Sequence, residues 1–440
     1  MQKESWNSMS IILVTLSFLF VFIFSSQDVF SAPSSRHLCL PEQRDALIEF
    51  KNEFEIGQLN QFCDSGQPKT KSWVNNSDCC YWDGVMCDAK SGEVVELDLN
   101  CSRLHGWFHS NSKLFRIQSL RSLDLSFNDL SGQILWSIGN FSHLITLDLS
   151  NNYFSGRIPS SIGNLSNLTN LRLHYNSFDG EIPSSLGNLS HLTSLDLGGN
   201  NLVGEIPSSF GSLNNLDVLE ASSNKLSGSF PLPLLNLTKL SVLSLSSNQF
   251  TGTLPSSLLT LPSNWEFLNL ANNQFNGTLE LGHISSSSQL RGLFLGNNNF
   301  RGSIPISLSI LVNLETLHLS YLNTQGSVDL SIFSHLKSLE DLDISHLNTT
   351  TTMDLNAILS VNKRLVELDL SGNHVSAINK SSVSDPPSQS ITGLTLSGCG
   401  ITEFPEFLRT EHEMWFLDIS NNRIKGQVPG WLWTLPNLFL

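Results

Sequence analysis

This sequence is short of charge, and shortest of positive charge. Only 14% of its 440 residues are charged, and 24 Lys and Arg stand against 39 Asp and Glu, a formal net of −15. It offers no basic footprint for nucleic acid or for an anionic lipid surface. Long apolar runs are absent apart from Ile11 to Phe24, 14 residues broken by Thr15 and Ser17, whereas a bilayer span needs roughly 20. The motifs of common enzymes are missing. There is no Gly-rich phosphate loop and no GxSxG elbow, and His412-Glu413 opens a zinc-helix motif whose second His does not follow. Carboxylates are frequent, but they come from one repeated Leu-Asp-Leu unit. These absences argue against an enzyme, a cofactor and a resident metal. Hydrophobic content is not lacking, at 40% with leucine spread evenly, which argues against disorder.

Cysteine is scarce and unevenly placed. Six of seven fall between Cys39 and Cys101: Cys39, Cys63, Cys79, Cys80, Cys87 and Cys101. They follow an N-terminus that reads as a secretory signal, with Lys3 as the positive region and Val29-Phe30-Ser31 as the cleavage site. Residues 1–31 are therefore read as a signal peptide and 32–92 as a cysteine-rich cap. Secretion favours a disulfide framework over zinc, and no second CxxC-like pair is present. Local spacing singles out Cys80 with Cys87 and leaves the other pairings open. Cys399, far from the rest, is expected to be a buried free thiol.

The positive signal is a repeat. Leu123-Asp-Leu125-Ser-Phe-Asn128 recurs as Leu147-Asp-Leu149-Ser-Asn-Asn152 and Leu171-Arg-Leu173-His-Tyr-Asn176. Its first leucine stands at 97, 123, 147, 171, 195, 219, 243, 268, 293, 317, 342, 368, 394 and 417, in steps of 23 to 26. That predicts 14 repeats over 93–440, the last incomplete. In Leu-x-Leu the leucines point to one face of a short strand, and only stacking of copies can keep that face dry. The asparagine that follows falls where the chain turns inward, and its amide can satisfy backbone groups of the neighbouring coil. Leu322, Leu347 and Cys399 replace it late in the chain and Ser102 at the start, which predicts a weaker ladder around 320–400. Gly156-Arg-Ile-Pro159 and its copies predict a positive-φ turn followed by a fixed chain direction. Asn379 to Ser390, with Pro386-Pro387, reads as a loop within the array.

The unit resembles the plant-specific extracellular leucine-rich repeat. Pro41 to Phe54 is expected to be a helix closing the first coil. Trp73 with Cys79-Cys80-Tyr81-Trp82-Asp83-Gly84-Val85-Met86-Cys87 resembles the cap of receptor-like proteins of the Cf disease-resistance class, in which the cysteines are adjacent. The resemblance implies an α/β-type solenoid: a parallel sheet on the concave face, 3-10 or irregular segments on the convex face, and a helical disulfide-bonded cap. It also implies an extracellular receptor without a kinase, membrane-anchored in its longer form, that acts in defence or development. Such a receptor takes a peptide, protein or cell-wall oligosaccharide ligand and signals with partner receptor kinases of the leucine-rich-repeat type. Trp431 to Leu440 begins another repeat with no closing cap or anchor, so the chain is expected to be truncated. Two alternatives are a secreted inhibitor of microbial wall-degrading enzymes, like the polygalacturonase inhibitors of about ten repeats with a closing cap, and a non-functional fragment.

A ligand would meet the outward side chains of the concave strands. The central column reads Asp98, Asp124, Asp148, Arg172, Asp196, Glu220, Ser244, Asn269, Phe294, His318, Asp343, Asp369, Thr395 and Asp418. Its acids either serve solubility or form a negative strip suited to a basic peptide. Two places break the column. Arg172, His174 and Tyr175 form a cationic and aromatic cluster expected on one strand. Phe267, Phe294, His318 and Tyr321 expose aromatics further along. Aromatics and arginine are common binding anchors, and the histidines could make binding pH-dependent. Sequons begin at Asn75, Asn140, Asn164, Asn167, Asn188, Asn236, Asn276, Asn348 and Asn379, mostly off the strands. At Asn100 the middle cysteine argues against use.

Overall fold

The computed structural model describes residues 38–438, except 64–65, 261–263, 283, 286, 325, 327 and 377–390. The signal peptide and the whole proline-rich loop, Asn379 included, lie outside these. The fourteen Leu-x-Leu segments form one parallel sheet, opened by an antiparallel strand of the cap, Val85–Cys87. Its register is uniform: Leu97 faces Leu123, then Leu147, Leu171 and Leu195, and so on to Leu394 facing Leu417. Identical leucines thus lie one above another. Nearly every one is fully buried, because a strand with one apolar face has no other way to keep it from water.

The asparagines close the turns as a ladder. Asn152 Nδ2 donates to the carbonyls of Leu149, Ser150 and, one coil back, Leu125, at 2.9–3.3 Å, and its Oδ1 accepts from Leu130 N at 3.0 Å. Asn200 and Asn248 repeat the pattern. Where Cys399 replaces the amide, its thiol donates to Leu370 O at 3.2 Å, and burial pushes its pKa to about 11.

The convex side departs from expectation. Short 3-10 helices such as Ser160–Asn164 are present, but the Leu-Ser-Gly segments before them form a second, ten-stranded sheet from Glu55–Ile56 to Asn299–Arg301. Gly156 has φ of +73° and pairs with Phe178 of the next coil. This sheet is therefore offset by two residues per coil while the leucine sheet is not, so successive coils rotate. Behind it lies a phenylalanine stack, Phe154 on Phe178 and Phe250 on Phe275 on Phe300, with centroids 6.0–6.4 Å apart.

After Arg301 the second sheet stops, leaving an isolated bridge to Asn323 and a two-stranded remnant, Met353–Asp354 with Val375–Ser376. An α-helix, Leu355–Val361, replaces the 3-10 turn there, capped by Asp354. At the other end the cap helix, Pro41–Lys51, stops three residues before Phe54, and Leu47 and Phe50 are buried. Disulfides join Cys39 to Cys79, Cys63 to Cys101 and Cys80 to Cys87. Trp73 stacks on Trp82 at 5.4 Å. The cap adds one short antiparallel strand to each sheet, which covers the first parallel strand of each at this end. Among the described residues no helix is long and apolar enough to cross a membrane.

Candidate functional site

The recurring aspartate of the central column has a structural task. Its Oδ1 accepts from the backbone N–H two residues on, as in Asp148 with Ser150 (3.0 Å), Asp343 with Ser345 (2.9 Å) and Asp369 with Ser371 (2.8 Å), and Asn269 does the same for Ala271 (3.1 Å). Arg172, Glu220, Ser244, Phe294, His318 and Thr395 occupy this column without that bond. These positions forgo a turn-stabilising hydrogen bond, so they mark where another demand acts on the sequence.

The first cluster is less available than its residues suggest. Only Arg172 belongs to the strand, Asn170–Arg172; His174 and Tyr175 lie in the turn after it. Arg172 sits 3.5 Å from Asp148 and His174 Nδ1 2.9 Å from Asp196, so both side chains are turned toward acids of neighbouring coils. Tyr175 remains 65% exposed. Its φ is +50°, and its ring lies over Gly199, where a Cβ would approach to 2.7 Å. A bulky left-handed residue costs about 1–2 kcal/mol.

The second cluster splits in two. Phe267, Phe294 and His318 stand on successive strands, with Phe294 edge-on to His318 at 4.9 Å. Both phenylalanines lean over Gly292, where an added Cβ would fall 2.4 Å from Phe267 and 2.9 Å from Phe294. Tyr321 does not join them. It lies in the turn, again left-handed (φ +61°), and stacks on His346 at 4.5 Å. Neither Gly292 nor His346 stands out in the sequence; they are found only once the coils are placed in register.

The acidic column is not a uniform strip. Lys69 of the cap reaches Asp98 at 2.6 Å, and Arg172 and His174 answer Asp148 and Asp196. Negative charge persists further on, where Asp341, Asp343, Glu367 and Asp369 line a concave cavity of about 470 Å³ with His318, Gly393, Thr395, Trp415 and Phe416. His318 Nε2 lies 2.9 Å from Asp341. Burial lowers its basicity, but the bond to Asp341 and the charges of Asp343 and Asp369 outweigh this and leave its pKa raised. Burial, with the charge of Asp343, raises the carboxyl of Asp369.

The potential glycan positions are exposed and lie off this face. Asn140, Asn164, Asn188 and Asn236 each end a 3-10 helix on the convex side. Asn276 is on the outer side of the second sheet, Asn75 in the cap and Asn348 in a turn. The Asn167 amide already donates to Ser142 O at 2.9 Å. Asn100, half-buried just past its strand, donates to Ser126 Oγ.

Comparison with known proteins agrees with this geometry. Residues 106–378 match the leucine-rich repeat region family, 40–88 the leucine rich repeat N-terminal domain and 414–435 a further leucine rich repeat. Receptor-like protein 35 of Arabidopsis thaliana is 62% identical over 99% of this chain and 55% of its own length. Receptor-like protein 53 of the same plant is 59% identical over 99% and 56%. The chain thus spans about half the length of the curated relatives it matches. Among solved structures, the ectodomain of the Arabidopsis thaliana receptor kinase GASSHO1/SCHENGEN3, in complex with Casparian Strip Integrity Factor 2, superposes with a TM-score of 0.72. Identity there is 31%, covering 89% of this chain and 49% of the other. A TDR receptor gives 0.66 at 32% identity, covering 79% and 63%. Repeat and cap together place this chain in the leucine-rich-repeat family, with similarity to the plant receptor-like proteins.

Proposed function

We propose that this chain is the recognition region of a plant cell-surface receptor, held outside the cell, which takes a peptide or protein ligand on its concave face. The observation that carries this reading is a separation of surfaces. The side chains that abandon the structural aspartate, Phe294 and His318 above all, lie on the leucine sheet, whereas the sequons of the 3-10 helices lie on the opposite side. Glycans there would cover the back and leave the front open. Secretion through residues 1–31, glycosylation at the exposed sequons, an anchor supplied by a longer form and signalling through leucine-rich-repeat receptor kinases belong to the same reading. The solved relative bound to a named factor supports it by kinship.

The test uses the purified glycosylated chain, panned against a phage library of random dodecapeptides. Selected peptides are expected to lose at least tenfold in affinity for the variant F294A/Y321A and to bind W136A, altered on the convex side, unchanged. Peptides that respond to W136A and ignore F294A/Y321A would overturn the assignment.

A further inference from the structure

The cavity between His318 and Phe416 has a composition unlike the rest of the face. Its floor is Gly393, registered between Glu367 on one strand and Phe416 on the other. A Cβ on Gly393 would stand 3.4 Å from Glu367 Cγ, so the missing side chain opens the hollow. One wall is aromatic. Trp415 precedes its strand and is 50% exposed, with its ring centroid 5.7 Å from that of Phe416. The other wall is anionic, with Asp343 and Asp369 on adjacent strands ~4.8 Å apart and Glu367 beside them. The turns use Oδ1 of each aspartate and leave Oδ2 available.

Several other acids on this face have a cation at hand: Asp98 has Lys69, Asp148 has Arg172, Glu315 has Arg291 and Glu340 has Arg364. Among the described residues, no Lys or Arg lies within ion-pair distance of Asp343, Glu367 or Asp369, and His318 is engaged with Asp341. Like charges on neighbouring strands oppose folding, and here they do so beside an open indole. A planar or tetrahedral cation would satisfy both walls at once, by charge-assisted hydrogen bonds to the carboxylates and by cation–π contact with the rings.

We propose that this cavity is a subsite for one cationic side chain, arginine or lysine, of the ligand that the concave face receives. The proposal rests on the reading of that face as the recognition surface and adds the chemistry of one ligand residue to it. The cavity holds a guanidinium with its flanking backbone. Binding there weakens as salt rises, because the outer carboxylates are screened within about 8 Å at physiological ionic strength.

The test compares fluorescein-labelled Gly-Gly-Arg-Gly-Gly, capped at its C-terminus, with the same peptide carrying citrulline, which keeps the shape and removes the charge. The arginine peptide is expected to bind the chain at least tenfold more tightly. E367Q/D369N should abolish the difference, and W415A should weaken the arginine peptide severalfold. Asparagine at 369 keeps the turn, as Asn269 shows, and the variant loses two repelling charges, so it should unfold at or above the temperature of the parent. Equal binding of the two peptides, or a charge preference that survives E367Q/D369N in a folded variant, would overturn the subsite. If phage-selected peptides still depend on Phe294 in that event, the wider reading of the face stands and only the cationic subsite falls. If that dependence is missing too, both fall.

Discussion

The repeats before Arg301 and those after it share a leucine sheet but little else. The earlier coils carry two sheets, an asparagine ladder and, over much of their length, a phenylalanine stack; the later ones keep the leucines in register, lose the long second sheet and the phenylalanines, and keep the ladder amide only at Asn373 and Asn422. At the position two residues beyond the ladder, Phe250, Phe275 and Phe300 give way to Thr324, Thr349 and Val375. Leu322 and Leu347 leave no amide to bind the neighbouring coil. In a solenoid, stability is a sum of local terms, so the later coils can be softened without unfolding the earlier ones. The acidic and aromatic cavity lies wholly on these later coils.

Two pairs of substitutions sharpen the contrast. The largest effect should come from the spine: Phe300→Ala is expected to cost about 4 kcal/mol and Thr324→Ala about 1 kcal/mol, read from urea unfolding followed by circular dichroism. Next is the ladder. Asn200→Ala removes three donated bonds and the one accepted from Phe178 N, at about 3 kcal/mol, whereas Cys399→Ala loses one weak thiol bond and about 1 kcal/mol. Equal losses within either pair would break the comparison.

The smallest effect depends on pH. Burial pushes Glu220 from 4.5 to about 6, with Asp196 adding to the shift. A raised folded value means that its contribution is fully present below pH ~4.5 and is lost as pH rises through about 6. Glu220→Gln should therefore stabilise the chain by up to about 2 kcal/mol at pH 7.5 and leave it unchanged at pH 4. His318, also raised, runs in the same direction for a different reason. Its protonated ring pairs with Asp341, and that stability fades as pH rises past its folded value. His318→Gln should cost more at pH 5 than at pH 8, measured by thermal unfolding at each pH.

Much of this fold was legible in the sequence. The leucine positions gave the sheet, its register and the number of coils, because a period-two pattern repeated every 24 residues admits one stacking. Gly156 and Gly180 announced the positive-φ turns. The second sheet was not legible: Leu130-Ser-Gly132 and its copies are too short and glycine-rich to read as strands, and they become strands only by pairing with the next coil two residues out of step. For the candidate site, the aromatics of the concave face could be listed from the sequence, but their availability could not. Arg172 and His174 belong to acids on coils 24 and 22 residues away, and Tyr321 belongs to His346. Trp415 was missed because it precedes its Leu-x-Leu unit, at a position the alternating pattern does not include.

The most direct test is hydrogen–deuterium exchange of the free chain, read by mass spectrometry over the strands of the leucine sheet. The account predicts that amides of 146–148, 170–172 and 194–196 exchange as one slow block, while those of 316–318, 341–343 and 367–369 exchange faster, by at least tenfold. Uniform protection from 146 to 369 would contradict it, since the missing second sheet and the broken ladder would then have no consequence for local stability.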